Sequence, residues 1–210
     1  MPVLVTGSEG FIGTHLCRKL DDLGEIIHRI DVALGTDILT YPLPDNIDRV
    51  FHLAAQTDAY CANTWLDAET NILGSIRIFE KYRTKVVFAS SSMVNYPVNP
   101  YAISKRACED YARMYGCAVV RFCNIYGPGG HSFIEKCEAA ETITIYGTGE
   151  QKRTWQRVAV AVDALIAVKP GECTILDGDD WIINEIAARY AKPRIYRAAR
   201  AGDLLDATQL

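Results

Sequence analysis

Tyr101 and Lys105 stand four residues apart in "NPYAISK", a spacing that puts both side chains on one face of a helix. A free phenol, with a pKa of about 10, is a poor base at neutral pH; an ammonium beside it favours the ionised form and makes it a usable proton acceptor and donor. The same pair on a solvated helix would be an ordinary i, i+4 contact. Three hydroxyls, Ser90-Ser91-Ser92, follow the apolar stretch "KVVFA". A strand ending there presents them at the carboxyl edge, where open α/β sheets place ligands. Near the start, Gly7, Gly10 and Gly13 recur at intervals of three in "VTGSEGFIGT". Glycines so spaced let a backbone turn tightly, approach a pyrophosphate and aim free N–H groups at it, although three glycines also suit a plain loop. About eighteen residues beyond Gly13, "EIIHRID" ends in Asp31, which can accept both hydroxyls of an adenosine ribose and would repel a 2′-phosphate. That spacing points to NAD rather than NADP; the alternative is that Asp31 merely caps a strand.

The elements that must position these residues follow from periodicity. Val3-Leu4-Val5 is a short apolar run suited to a strand buried on both faces, and Phe11, Ile12, Leu16 and Leu20 recur as one face of a helix. "RVFHLAA", "KVVFASSS" and "CAVVRF" read as further strands, with helices at 65–82 and 101–115 between them. Pro42 and Pro44 argue against a full crossover helix after Asp31. Alternation of strand and helix implies a Rossmann-like, doubly wound parallel sheet covered on both faces. From Gly127-Pro128-Gly129-Gly130 the pattern breaks into shorter pieces. We therefore expect a nucleotide-binding domain over 1–125 and a small C-terminal substrate lobe over 126–210, the latter with helix 132–140, strand 142–146, helix 158–168, strand 173–176 and helix 182–190.

Composition sets the outer limits. The chain has 210 residues, 49% of them hydrophobic, enough for one full core and a small lobe. A net charge of −4, with no basic stripe interleaved with aromatics, argues against a nucleic-acid partner. Seven cysteines (Cys17, Cys61, Cys108, Cys117, Cys123, Cys137 and Cys173) form no C-x-x-C pair, so buried thiols in a reducing compartment are expected rather than disulfides or a metal site. With the first strand expected from Val3 and no basic or cleavable apolar stretch ahead of it, no leader is expected, and no apolar run approaches eighteen residues. A cytoplasmic location without membrane contact is the expectation.

Taken together, "VTGSEGFIG", "VFHLAAQT", "NILGSIRIFE", "FASSS", "NPYAISK", "RFCNIYGPG", "IYGTGEQKRTW" and "GDDWIINEIA" resemble, in order and over almost the whole chain, the landmarks of the extended short-chain dehydrogenases, the NAD-dependent sugar epimerase/dehydratase family. Members of that family are usually longer, so the resemblance implies shortened connections here. It implies Tyr101 as the proton acceptor and donor, Lys105 as its tuner and as partner of the nicotinamide ribose, and Ser91 as the hydroxyl that holds the reacting sugar oxygen, with Ser92 next in line. Around the cofactor it implies Gly7, Gly10, Phe11, Ile12, Gly13, Asp31, the pair Asp37 and Ile38 beside the adenine, Leu53, Ala54 and Ala55, Asn71 and Phe122. On the substrate side it implies Gln56 and Thr57 around the sugar, and Asn124 and Arg153 on a nucleotide diphosphate.

The departures narrow the chemistry. Dehydratases of the family carry an Asp-Glu pair after the catalytic hydroxyl, and this chain has Ser92-Met93. What the resemblance then implies is a nucleotide-sugar epimerase that transiently oxidises and re-reduces its substrate, or alternatively an NAD(P)H-dependent keto-sugar reductase. A non-catalytic NAD-sensing protein is a third reading, which the joint presence of Ser91, Tyr101 and Lys105 opposes. The family's "RDFVHVDD" reads "RTWQRVAV" here, leaving open how a base is held; His131 is a candidate for part of that gap or for plain polar surface, and the basic tail, with Arg189, Lys192, Arg194, Arg197 and Arg200, is a candidate phosphate-facing edge or a solvated basic face. Apolar residues on more than one side of 72–82 (Ile72, Ile76 and Phe79 on one stripe, Leu73 and Ile78 elsewhere), with Tyr111, Met114 and Tyr115, predict a homodimer through these two helices.

Overall fold

A computed structural model describes residues 1–59 and 63–200; Cys61 lies outside the described residues. β1 (Pro2–Thr6), α1 (Phe11–Asp22) and β2 (Ile26–Ile30) open the chain as strand, glycine turn and helix. Gly7 takes the left-handed conformation, φ +71°, that makes the first turn possible. A single 3₁₀ turn at Val32–Leu34 and a proline-bearing coil replace a crossover helix before β3 (Arg49–His52). Next come α2 (Thr64–Asp67), a π turn (Ala68–Leu73) and α3 (Gly74–Tyr82), then β4 (Val86–Ser91), α4 (Pro100–Met114) and β5 (Ala118–Phe122). The rest comprises β6 (Asn124–Tyr126), α5 (Phe133–Ala139), β7 (Ile143–Tyr146), β8 (Lys152–Arg157), α6 (Val158–Ala167), β9 (Cys173–Ile175), β10 (Asp179–Ile182), α7 (Ile183–Ala188) and β11 (Arg194–Arg197).

Six strands form one parallel sheet in the order β2-β1-β3-β4-β5-β9. The chain departs from β1 in one direction to reach β2 and in the other to reach β3, so the crevice between β1 and β3 is the switch point where such sheets bind ligands. Two-residue periodicity splits the strands between two cores. Val3, Val5, Phe51, Val87 and Val120 face α1 and α6, whereas Leu4, Val50, Val86, Phe88 and Val119 face α3 and α4.

The doubly wound sheet is as the sequence implies, but three details differ. Helix α6 and strand β9, expected in the C-terminal lobe, lie on the sheet: Val158, Ala161, Val162 and Leu165, at helical spacing, join the cluster of Leu16 and Leu20, and β9 pairs with the free side of β5. The chain leaves the sheet after β5 and returns to it, which a left-to-right reading of pattern cannot reveal. The helix expected over 65–82 is continuous in path but carries the π turn, an arrangement frequent where a side chain is redirected into a functional site. Third, β6, β8, β10 and β11 were not expected; they build a three-stranded sheet, β10-β8-β6, and a two-stranded one, β11-β7, that frame the lobe. Cys137, Ile143, Ile145 and Ala187, with Ile134, Trp155 and Ile186, fill its small core.

Candidate functional site

The glycine turn is held by contacts that leave no room for side chains. A Cβ on Gly7 would lie 2.7 Å from the Ala54 nitrogen, and one on Gly13 would lie 2.0 Å from the Gly7 oxygen. Gly10 caps α1 without a side-chain bond, so the first N–H groups of a twelve-residue helix face the crevice. Gly7, Gly10, Phe11, Ile12, Gly13, Asp31, Asp37, Ile38, Leu53, Ala54 and Ala55 together line a cleft of about 750 Å³, joined by Gln56, Thr57 and Asn124. Asp31 does two things at once. Its Oδ1 accepts from Ala33 N–H at 2.9 Å and caps the 3₁₀ turn, and its Oδ2 accepts from Glu9 N–H at 3.0 Å. A carboxylate offers about four lone-pair sites, so acceptor capacity remains for the two hydroxyls of a ribose. The absent Cβ atoms, the uncapped helix start and the oriented acid fit a dinucleotide.

Asn71 and Phe122 are not on the wall of this cleft, and neither are Ser91, Tyr101 and Lys105. Asn71 is buried behind it, where the π turn directs its amide onto the Gln56 backbone: Oδ1 accepts from Gln56 N–H at 2.8 Å, and Nδ2 donates to the Gln56 oxygen at 3.0 Å. The same Nδ2 donates to Asp67 Oδ2 (2.9 Å) and Ser104 Oγ (3.0 Å), and burial lifts the Asp67 carboxyl above its usual range. Phe122 is buried in the core beside Val120. Both support the site from behind rather than form its surface.

Tyr101 and Lys105 share the inner face of α4, which starts on Asn99 as a cap, its Oδ1 accepting from Ala102 N–H at 2.9 Å, with Pro100 in the first turn. Their mutual arrangement differs from the expected one. Lys105 donates to the Ala89 oxygen at 2.8 Å, sits 4.6 Å from the centre of the Phe88 ring, and is 5.9 Å from that of Tyr101. Burial governs both groups: the Tyr101 phenol is pushed up to about 12 and the Lys105 ammonium down to about 8. The group that opposes burial at Tyr101 is the nearby Ser91 hydroxyl, which favours the ionised phenol. Ser91 also caps the 3₁₀ turn of Ser92–Asn95 by accepting from Met93 N–H at 3.2 Å. Ser90 is engaged elsewhere, donating to Glu109, which is clamped by Arg121 through Nε (2.8 Å) and Nη2 (2.6 Å). Of the three serines, Ser91 is the one that acts on the Tyr101 phenol.

A second cavity, about 680 Å³, lies in the lobe and shares Asn124 and Ser132 with the first. Arg153 lines it with Lys136 and Arg200, among the aromatic side chains of Phe133, Tyr146 and Trp155. Asn124 Nδ2 donates to the Thr154 oxygen at 3.0 Å, pinning β6 to β8. Two polar atoms in this wall, Gln151 Oε1 and Trp155 Nε1, are buried without a hydrogen-bond partner. Sequence reasoning missed Tyr146, Gln151, Trp155 and Ser132; the capping pattern Ser132-x-x-Glu135 before α5 was a legible signal for the last. His131 lines the first cleft rather than the second, and Arg200, in the basic tail, lies 3.7 Å from the centre of the Tyr146 ring. Among the described residues no cluster of three or more His, Cys, Asp or Glu side chains could hold a metal, the six described cysteines are free thiols, and no helix is long and apolar enough to cross a membrane.

Comparison with known proteins gives these cavities a context. A putative UDP-glucose 4-epimerase of Methanocaldococcus jannaschii is 30% identical over 88% of this chain and 79% of its own length. A UDP-glucuronic acid decarboxylase 1 of Xenopus tropicalis is 27% identical over 79% of this chain and 53% of itself. Among solved structures, MoeE5 in complex with UDP-glucose and NAD superimposes with a TM-score of 0.88 at 29% identity, covering 98% of this chain and 88% of that one. The NAD dependent epimerase/dehydratase family model matches residues 3–172, and the chain belongs to that family.

Proposed function

We propose that this protein is an NAD-dependent epimerase of nucleoside diphosphate sugars, with Tyr101 as proton acceptor and donor and Ser91 as the hydroxyl that seats the reacting sugar oxygen. The observation that carries the reading is the meeting of the two cavities at Asn124 and Ser132: one is shaped for a dinucleotide, the other edged by Lys136, Arg153 and Arg200. Forked guanidinium donors suit a diphosphate, and the aromatic side chains suit a base. NAD, when bound, supplies a hydride acceptor and donor and a cationic ring. The chain's own groups handle the proton. Burial keeps the Tyr101 phenol protonated at neutral pH, ready to donate to a keto oxygen, and the nearby Ser91 hydroxyl lowers the cost of the reverse transfer. Lys105, tied to the Ala89 oxygen of β4, fixes the face that α4 presents and keeps a positive charge near it below a pH of about 8.

Epimerisation rather than dehydration is favoured by Ser92-Met93 where dehydratases carry two acids. The same dyad would serve a keto-sugar reductase, and stoichiometry separates the two. Incubating the protein with a panel of nucleotide sugars and no added reductant, followed by proton NMR, should show an inverted sugar centre at equilibrium. Conversion that requires one NADH per product would replace this reading with the reductase.

The functional unit in this reading is a homodimer. Leu73 (54% exposed), Ile103 (54%) and Met114 (64%) leave apolar surface on adjoining helices, and Tyr111 extends it. Ile78, expected on that outer side, is instead fully buried in the core with Phe79. Light scattering should give twice the chain mass for the native protein and the chain mass for Met114→Glu; a native monomer at micromolar concentration would exclude the contact. The free thiols of the six described cysteines suit a reducing, cytoplasmic setting.

A further inference from the structure

Arg29 stands two residues before Asp31, and the extended backbone there sends both side chains from one face of the chain. Its guanidinium is claimed twice, by Asp21 on α1 at 3.2 Å and by Glu9 at 3.7 Å. Glu9 belongs to the glycine loop, and its backbone N–H is the donor, at 3.0 Å, that orients the Asp31 carboxylate. One loop residue therefore steadies the ribose-facing acid with its backbone and occupies a neighbouring cation with its side chain. The Arg29, Glu9 and Asp21 side chains remain 38%, 31% and 57% exposed, and pairs so exposed contribute little to stability. Their position beside Asp31 is what gives them consequence.

We propose that Glu9 and Asp21 are selectivity determinants for the cofactor, acting by holding Arg29 in an ion pair that denies it to a 2′-phosphate. This rests on Asp31 facing the adenosine ribose. NADP differs from NAD by a 2′-phosphate, for which a free, long-reaching guanidinium is a natural partner. Asp31 repels that group directly. The clamp adds a second barrier, because the cation that could compensate the repulsion is already neutralised by two carboxylates within a Debye length of about 8 Å. Arg29 is thus a latent phosphate site closed by its neighbours.

The test equilibrates the protein with defined NAD and NADP mixtures, then measures the bound ratio after denaturing release, so that bound cofactor at the outset does not matter. Asp31→Asn alone should raise the NADP share about tenfold, the scale of one charge-assisted contact; no change would remove the ribose assignment itself, independently of the clamp. Adding Glu9→Gln should raise it about tenfold again, and adding Asp21→Asn instead should raise it severalfold from the far end of α1, where the glycine loop is undisturbed. Arg29→Gln in either double variant should cancel that second gain. A second gain that survives Arg29→Gln, or one produced by Glu9→Gln but not at all by Asp21→Asn, would overturn the clamp in favour of simple repulsion by Glu9.

Discussion

The cleft at Gly7 and the cavity at Arg153 share a wall, Asn124 and Ser132, but are held together differently. The first is made of backbone: a left-handed glycine, a helix start packed within 2.0 Å of where a Cβ would be, and strand ends in parallel register. The second is made of side chains carried by short strands whose partners lie far along the chain, β6 on β8 and β7 on β11. A site built from backbone tolerates almost no substitution but binds a constant ligand; a site built from side chains can be retuned residue by residue. In this molecule the constant ligand is the cofactor of the family and the variable one, in our proposal, is the sugar nucleotide.

Breaking the first region should therefore cost most. Gly13→Ala would force a methyl group against the Gly7 oxygen, and we expect NAD affinity, measured by calorimetry, to fall about a hundredfold, the ~3 kcal/mol upper range of overpacking. Next in size, Arg153→Ala should raise KM for the nucleotide sugar about ten- to a hundredfold, the loss of a charge-assisted contact, while NAD binding stays unchanged. If Arg153→Ala weakened NAD equally, the two cavities would not be separable and the contrast between them would fail.

A further effect concerns stability alone and belongs to the first region. His52 is buried, its Nδ1 2.7 Å from Thr6 Oγ1 and its Nε2 2.9 Å from Ser75 Oγ, and burial drives it down to about 3. The unfolded chain takes up that proton near its ordinary value of 6.5, so the native state loses stability as pH falls from 6.5 toward 3, by at most ~1.4 kcal/mol per pH unit. Urea midpoints across that window should fall less steeply for His52→Gln than for the native protein. Equal slopes would mean that His52 is protonated in the folded state.

The same contrast explains what the sequence could tell. Glycine spacing, the apolar run Val3-Leu4-Val5 and the position of Asp31 are local constraints, and together with the positions that the family resemblance implies they put eleven cofactor-side residues on one cleft. The lobe offered no such signal: "KRTWQR" has no clean alternation, and its strand forms because β6 and β10 flank it. The return of α6 and β9 to the sheet was hidden for a related reason, since helical spacing of Val158, Ala161, Val162 and Leu165 says that a face is buried but not against what. Side-chain direction was least legible. The i, i+4 spacing placed Tyr101 and Lys105 together, but not the choice of Lys105 for the Ala89 oxygen or of Ser91 for the phenol.

The central claim is that Tyr101 moves the proton while the backbone cleft holds the cofactor independently. Tyr101→Phe keeps the ring and removes only the hydroxyl, so sugar interconversion followed by NMR should fall by about 10²- to 10⁴-fold with NAD affinity within about twofold of native. Retention of more than a few per cent of the rate would contradict the assignment of Tyr101 and the account built on it.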